Sequence, residues 1–173
     1  MMTATAHPVS SDASNGLSRR FARAMDHFGP FEDDPHLAVA VSGGADSTAL
    51  ALLAHEWAAD RDGWVTALIV DHGLRDGSAA EAAGTAARLK SLGIAAHILT
   101  WEGAKPAAAV QAAARAARYG LLRNWCRTAG VLHLLVGHHG DDQAETHLMR
   151  QSRGGGFGTA GMSALVTFPE VRL

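Results

Sequence analysis

The chain has 173 residues, 47% of them hydrophobic, and a formal net charge of −2, values that fit one domain with a proper core and exclude a disordered or fibrous chain. No apolar run approaches the roughly 18 residues of a membrane span, and the start, MMTATAHPVSSDASNGLSRR, lacks the apolar middle of a signal peptide; a cytoplasmic protein with a disordered tail over residues 1–16 and one domain over 17–173 is expected. The single cysteine, Cys126, rules out an internal disulfide and any Cys-x-x-Cys site for zinc or an iron–sulfur cluster.

In chain order, SRRFARAMDHF sets Phe21, Met25 and Phe28 on one side of a short amphipathic helix. An apolar strand, Leu37–Val41, then breaks into Ser-Gly-Gly before a helix from about Asp46. Strand Val65–Val70, an Ala-rich helix through Leu89 and strand Ile94–Thr100 follow. A long Ala/Arg helix after Pro106, strand Val131–Val136 and a helix from about Asp141 complete the series. Such alternation predicts βαβ crossovers: an α/β fold with a doubly wound parallel sheet and helices on both faces. The strands read as near-continuous apolar runs, as expected where both sheet faces are covered.

Ligands of such sheets bind outside the carboxyl ends of the strands, where strand order reverses. Polar residues collect at those ends: Ser42–Ser47 after the first strand, DHGLRDGS (Asp71–Ser78) after the second, GHHGDDQAET (Gly137–Thr146) after the fourth. Gly43 and Gly44 stand where strand turns to helix, so backbone N–H groups and the positive end of the helix dipole face outward and favour an anion. The Lys of a Walker A loop is missing. Ser42 and Ser47 add hydroxyls, and Asp46 adds a carboxylate that tolerates phosphate only with a divalent cation between them, which points to Mg²⁺-pyrophosphate. The alternative is an ordinary tight turn with Asp46 or Ser47 capping the helix.

Charge is unevenly spread. Residues 1–100 hold 7 Lys and Arg against 12 Asp and Glu, and residues 101–173 hold 8 against 5, giving −5 and +3. Five basic residues and no acidic one lie between Lys105 and Arg127, a helix suited to a polyanion or simply to solvent.

AVSGGADSTAL resembles the PP-loop of the N-type ATP pyrophosphatases, whose consensus is S-G-G-x-D-S. VDHGLR, VQAAARAARY and GHHGDDQAETHLMRQSRGGGFGTAGM resemble further signatures of the tRNA(Ile)-lysidine synthetases, in order over roughly Leu37 to Met162. Members of that family continue beyond the equivalent of VTFPEVRL through the rest of the catalytic lobe and RNA-binding domains, so the chain is expected to be the N-terminal part of such an enzyme. The resemblance implies ATP and Mg²⁺ as cofactors, with tRNA(Ile) and free L-lysine as substrates. The wobble cytidine is adenylated at its C2 oxygen, pyrophosphate leaves, and the ε-amine of lysine displaces AMP. Alternatives are a non-catalytic ATP-binding fragment, or another PP-loop ligase that adenylates a small substrate. No membrane partner is implied, and a homodimer stays open.

On that reading Ser42, Gly43, Gly44, Ala45, Asp46 and Ser47 hold the pyrophosphate end of ATP, with Asp46 as the metal anchor. Arg115 and Arg118, three apart on the basic helix, reach the α-phosphate or the target nucleotide, and Gln111 lies one turn earlier on that face. Asp142 and Glu145 share a face and attract a cation; they are assigned to lysine, with Mg²⁺ the competing candidate. His138 and His139 serve the nucleotide or accept a proton from the incoming amine, and His72 lines the same rim. RGGGFGTAG, Arg153 to Gly161, reads as a loop over the site or a structural turn.

Overall fold

A computed structural model describes residues 11–137 and 171–172. The elements are α1 (Ser11–Asp26), β1 (His36–Ala40), α2 (Ala45–Ala59), β2 (Trp64–Asp71), α3 (Ser78–Ser91), β3 (Ala95–Thr100), α4 (Val110–Ala129) and β4 (His133–Val136). The expected alternation is present with small shifts of boundary. The last residues of the segment read as a tail already belong to α1, and the helix expected from about Asp141 lies outside the described residues.

All strand pairs are parallel, in the order β3-β2-β1-β4. Chain order thus steps outward from β1 through β2 to β3, then returns across the sheet to β4. The reversal lies between β1 and β4, and it puts the helices on opposite faces. Leu37, Val39 and Val41 of β1, with Val65, Ala67 and Ile69 of β2, pack on α2 and α3. Ala38, Ala40 and Leu68 face the other way, onto Leu122 and Cys126 of α4. In α2, Ala51, Ala54 and Ala58 are buried to the last atom; their small side chains let the helix lie close to the sheet. Phe21, Ala22 and Met25 of α1 close the outside of that layer.

One expectation fails at β3. Its residues are exposed or half-buried throughout, with Ile98 41% exposed. Apolar content alone does not distinguish an edge strand from a central one, and among the described residues β3 pairs with β2 alone. At the opposite edge, β4 gains a short parallel neighbour: the Leu134 amide donates to the Arg172 carbonyl at 2.8 Å, and the Arg172 amide to the Leu132 carbonyl at 2.7 Å. The Arg172 guanidinium also donates to the carbonyls of Phe28 at 2.7 Å and Pro30 at 3.0 Å, fastening that neighbour to the α1–β1 connection.

Glycine is required at two close approaches. Gly63, before β2, lies so near Pro35 that a Cβ would sit 2.3 Å from its carbonyl oxygen. Gly43, after β1, has φ +87 and would place a Cβ 2.9 Å from Thr85 Oγ1.

Candidate functional site: a cleft at the carboxyl ends of β1 and β2

A cleft of about 820 Å³ opens over the carboxyl ends of β1 and β2, walled by α3 on one side and α4 on the other. Ser42 and Gly43 line it from the first loop, Asp71 and His72 from the second, and Gln111 and Arg118 from α4. Its volume is in the range of small-molecule sites.

The first loop is held in shape by its own side chains. Ser47 is only 7% exposed; its hydroxyl donates to the Gly44 carbonyl at 3.2 Å and accepts from the Ser42 amide at 3.1 Å. The Ser42 and Ser47 hydroxyls also lie 3.2 Å apart. Thr48 Oγ1 donates to the Gly44 carbonyl at 2.8 Å. The hydroxyl of Ser47, read from sequence as a ligand donor, is thus engaged within the loop. Neither Asp46 nor Ser47 is the cap: Gly44 occupies the N-cap, with no side-chain hydrogen bond to the cap. Helix geometry gives the amides of the opening turn no acceptor within the helix itself, so the dipole end faces the mouth of the loop. Asp46 stands in that turn with its side chain exposed.

The second loop is folded around Asp71, which is 8% exposed. Its carboxylate accepts from the Gly73 amide at 3.0 Å. The Ser78 hydroxyl and that amide, in this order of weight, hold its pKa below the usual carboxylate value. Beside it, the pKa of His72 is lowered, first by burial and then by the charge of Arg118. The imidazole is therefore neutral at pH 7, and its buried Nδ1 has no hydrogen-bond partner among the described residues. The ring meets Trp101 edge to face at 6.2 Å. Lys105 donates to the Trp101 carbonyl and lies 4.3 Å over the Trp101 ring, tying the loop after β3 to the same rim.

Arg118 and Arg115 part company. Arg118 lines the cleft, and burial lowers its pKa without bringing it near neutrality. Arg115 is exposed, does not line the cleft, and has its guanidinium carbon 5.3 Å over the Tyr119 ring. Of the residues expected at the site, the cleft wall gathers Ser42, Gly43, His72, Gln111 and Arg118. Gly44, Ala45, Asp46 and Ser47 belong to the adjoining loop and helix start. His138, His139, Asp142 and Glu145, with the segment Arg153 to Gly161, lie outside the described residues. Gly137, the last described residue after β4, would place a Cβ 3.6 Å from Ser47 Cα, so β4 ends beside the phosphate loop.

One wall escaped the sequence reading. Ser78, Glu81, Thr85 and Arg88 of α3 all line the cleft. Their spacing of three, four and three among alanines is the period of a single helix face, and that stripe was the available signal. Arg75, also on the wall, pairs with Glu81 at 2.6 Å. Arg88 Nη2 donates to the Gly43 carbonyl at 3.3 Å.

Comparison with known proteins places the chain. A family model described as a PP-loop domain matches residues 15–173. The tRNA(Ile)-lysidine synthase of Bradyrhizobium diazoefficiens is 43% identical over 164 residues, covering 94% of this chain and 44% of that protein. The enzyme of the same name from Novosphingobium aromaticivorans is 43% identical over 166 residues, covering 94% and 50%. The chain therefore spans half or less of the length of these curated relatives. Among solved structures, the U34-tRNA thiolase NcsA from Methanococcus maripaludis superposes with a TM-score of 0.69 at 19% identity, over 84% of this chain and 52% of that one, a likeness of fold. Among the described residues no helix is long and apolar enough to cross a membrane. Parallel sheet, Ser-Gly-Gly turn at the end of β1 and family match agree: the chain belongs to the PP-loop family of ATP-binding domains.

Proposed function

We propose that this chain is the ATP-binding and adenylating part of a tRNA(Ile)-lysidine synthase, acting on a cytoplasmic tRNA. The observation that carries the proposal is the cleft itself: a phosphate loop of this family at one end, and at the other a half-buried arginine with no carboxylate partner among the described residues. The relatives' names support the substrate.

In this reading the C2 oxygen of the wobble cytidine attacks the α-phosphorus of ATP, the bond to the bridging oxygen breaks, and pyrophosphate leaves. Charge that grows on the leaving group meets the loop amides and the dipole of α2, groups fixed before the reaction starts. Arg118 faces the α-phosphate side and stabilises charge there. Arg115, outside the cleft, contacts RNA phosphate along α4, where no acidic residue interrupts Val110–Ala129. The ε-amine of lysine then attacks C2, a proton is lost from nitrogen, and the C–O bond to AMP breaks. Asp142 and Glu145 are proposed to bind the lysine, and His138 or His139 to take the proton. His72, neutral in the folded chain, lines the cleft as a hydrogen-bonding group.

The residues at the loop fit Mg²⁺. Asp46 is an exposed carboxylate beside the glycines, and this ion is commonly held by one or two carboxylates, with phosphate oxygens and water completing its shell. When bound, it neutralises phosphate charge at the leaving group.

The test is incorporation of labelled lysine into isoleucine tRNA, with AMP and pyrophosphate counted as products. Arg118→Ala should lower turnover by about a hundredfold or more while its melting temperature stays near that of the wild type. Full turnover in that variant, or ATP consumption that ignores both tRNA and lysine, would contradict the assignment.

A further inference from the structure

Among the described residues three arginines line the cleft: Arg75, Arg88 and Arg118. They differ in what neutralises them. Arg75 is committed to Glu81 at 2.6 Å. Arg118 stands at the α4 wall, and Arg88 stands at the loop, with no carboxylate paired to either among the described residues. One Arg88 N–H reaches the Gly43 carbonyl at 3.3 Å. That single bond uses one of five donors of a planar fork.

We infer that Arg88 is a phosphate-contacting residue, outside the loop motif, that bridges the Gly43 carbonyl and the terminal phosphates of the nucleotide. Two observations converge on this. Gly43 packs against α3, where a Cβ would meet Thr85 Oγ1 at 2.9 Å, so α3 lies against the phosphate loop and brings Arg88, one turn further along the same helix, within reach of it. Furthermore, Gly43 and Arg88 border the same cleft, and a guanidinium already oriented by a carbonyl presents its remaining donors in one plane, the geometry that suits two phosphate oxygens. Arg88 thereby distinguishes ligands by the length of their phosphate chain: triphosphate and pyrophosphate reach it, whereas AMP does not. The inference rests on the proposed use of ATP and specifies which residue reads its far end.

The experiment is calorimetric titration of Mg·ATP, inorganic pyrophosphate and AMP into the wild type, Arg88→Ala and Arg88→Lys, with melting temperature as a check on folding. Arg88→Ala should weaken ATP and pyrophosphate about tenfold or more and leave AMP within about twofold. Arg88→Lys should recover part of the loss, because a point charge replaces the cation but not the fork. Equal weakening of ATP and AMP would show that Arg88 merely shapes the loop, and unchanged ATP affinity would remove it from the site; either overturns the inference while leaving ATP binding intact. A wild-type chain that binds neither ATP nor pyrophosphate would overturn the functional proposal as well, so the two failures are distinguishable.

Discussion

The two ends of the sheet treat their histidines and arginines differently, although the amino end also leaves the buried Trp57 Nε1, edge-on to Phe31, without a partner among the described residues. At the amino ends of the strands, His133 meets Glu32 at 2.9 Å, His36 meets Thr66 at 2.8 Å, and the Arg172 guanidinium is spent on backbone carbonyls. At the carboxyl ends, a buried His72 nitrogen has no partner among the described residues, Arg118 is lowered in pKa by burial without a carboxylate beside it, and a helix start is capped by glycine. Buried polar groups ordinarily find partners because leaving them unpaired costs about 1–3 kcal/mol each. The lower end therefore stabilises the fold. The upper end keeps its hydrogen-bonding capacity for a ligand.

The contrast can be broken most forcefully from below. Gly63→Ala drives a methyl group onto the Pro35 carbonyl at 2.3 Å, and backbone is the neighbour least able to move. A loss of about 3 kcal/mol is expected, read as a shift in the urea midpoint, while ATP affinity of the folded fraction stays unchanged. His133→Ala is expected to cost about 2 kcal/mol, since it removes the Glu32 contact and a ring 4.6 Å from Phe31. Its ATP affinity should remain within about twofold of wild type.

Acid should act through histidines at both ends. Burial is the first cause of the lowered pKa of His36, His72 and His133. A group whose folded pKa is depressed contributes stability that is present above its unfolded value, about 6.5 for histidine, and lost as pH falls through the folded value. Between those limits the unfolded chain binds more protons than the folded one, so stability falls with acid. Asp71, also depressed, extends the loss at lower pH. Urea midpoints should be level between about pH 7 and 8, decline below about 6.5, and decline again in alkali as the unfolded chain loses the Cys126 proton that the folded chain keeps; a midpoint that rises on acidification from pH 7 contradicts this. The smallest effect is at Cys126, fully buried on the sheet-facing side of α4, whose thiol is pushed up to about 11 by burial. It should not react with a thiol reagent at pH 8 until urea opens the sheet. Rapid labelling of the native chain would show that α4 leaves the sheet readily.

How much of this was legible beforehand follows from how local each feature is. Strand–helix alternation and the Ser-Gly-Gly turn are local, and both were readable. Strand order is not, so the exposure of β3 and the approach of Gly63 to Pro35 could not be anticipated. Arg115 and Arg118 share a helix face by spacing, yet only the packing of α4 decides which one enters the cleft. Thr85 and Arg88 show the same limit from the other side. Their stripe was present in the sequence, but its meaning depends on α3 lying against the loop that follows β1, two elements earlier in the chain.

The central claim, that the carboxyl end binds nucleotide and the amino end holds the fold, is tested most directly by pairing one variant from each end. Mg·ATP would be titrated into wild type, Gly43→Ala and His133→Ala by calorimetry, with urea midpoints measured on the same samples. In Gly43→Ala a methyl group meets Thr85 Oγ1 at 2.9 Å on a backbone with φ +87, a left-handed conformation that costs a non-glycine residue about 1–2 kcal/mol. This variant should lose ATP affinity at least about tenfold, as misplaced loop amides no longer meet the phosphates together, whereas His133→Ala should lose stability while binding ATP as the wild type does. Undiminished ATP binding by Gly43→Ala, or an equal loss of affinity in both variants, would contradict the claim.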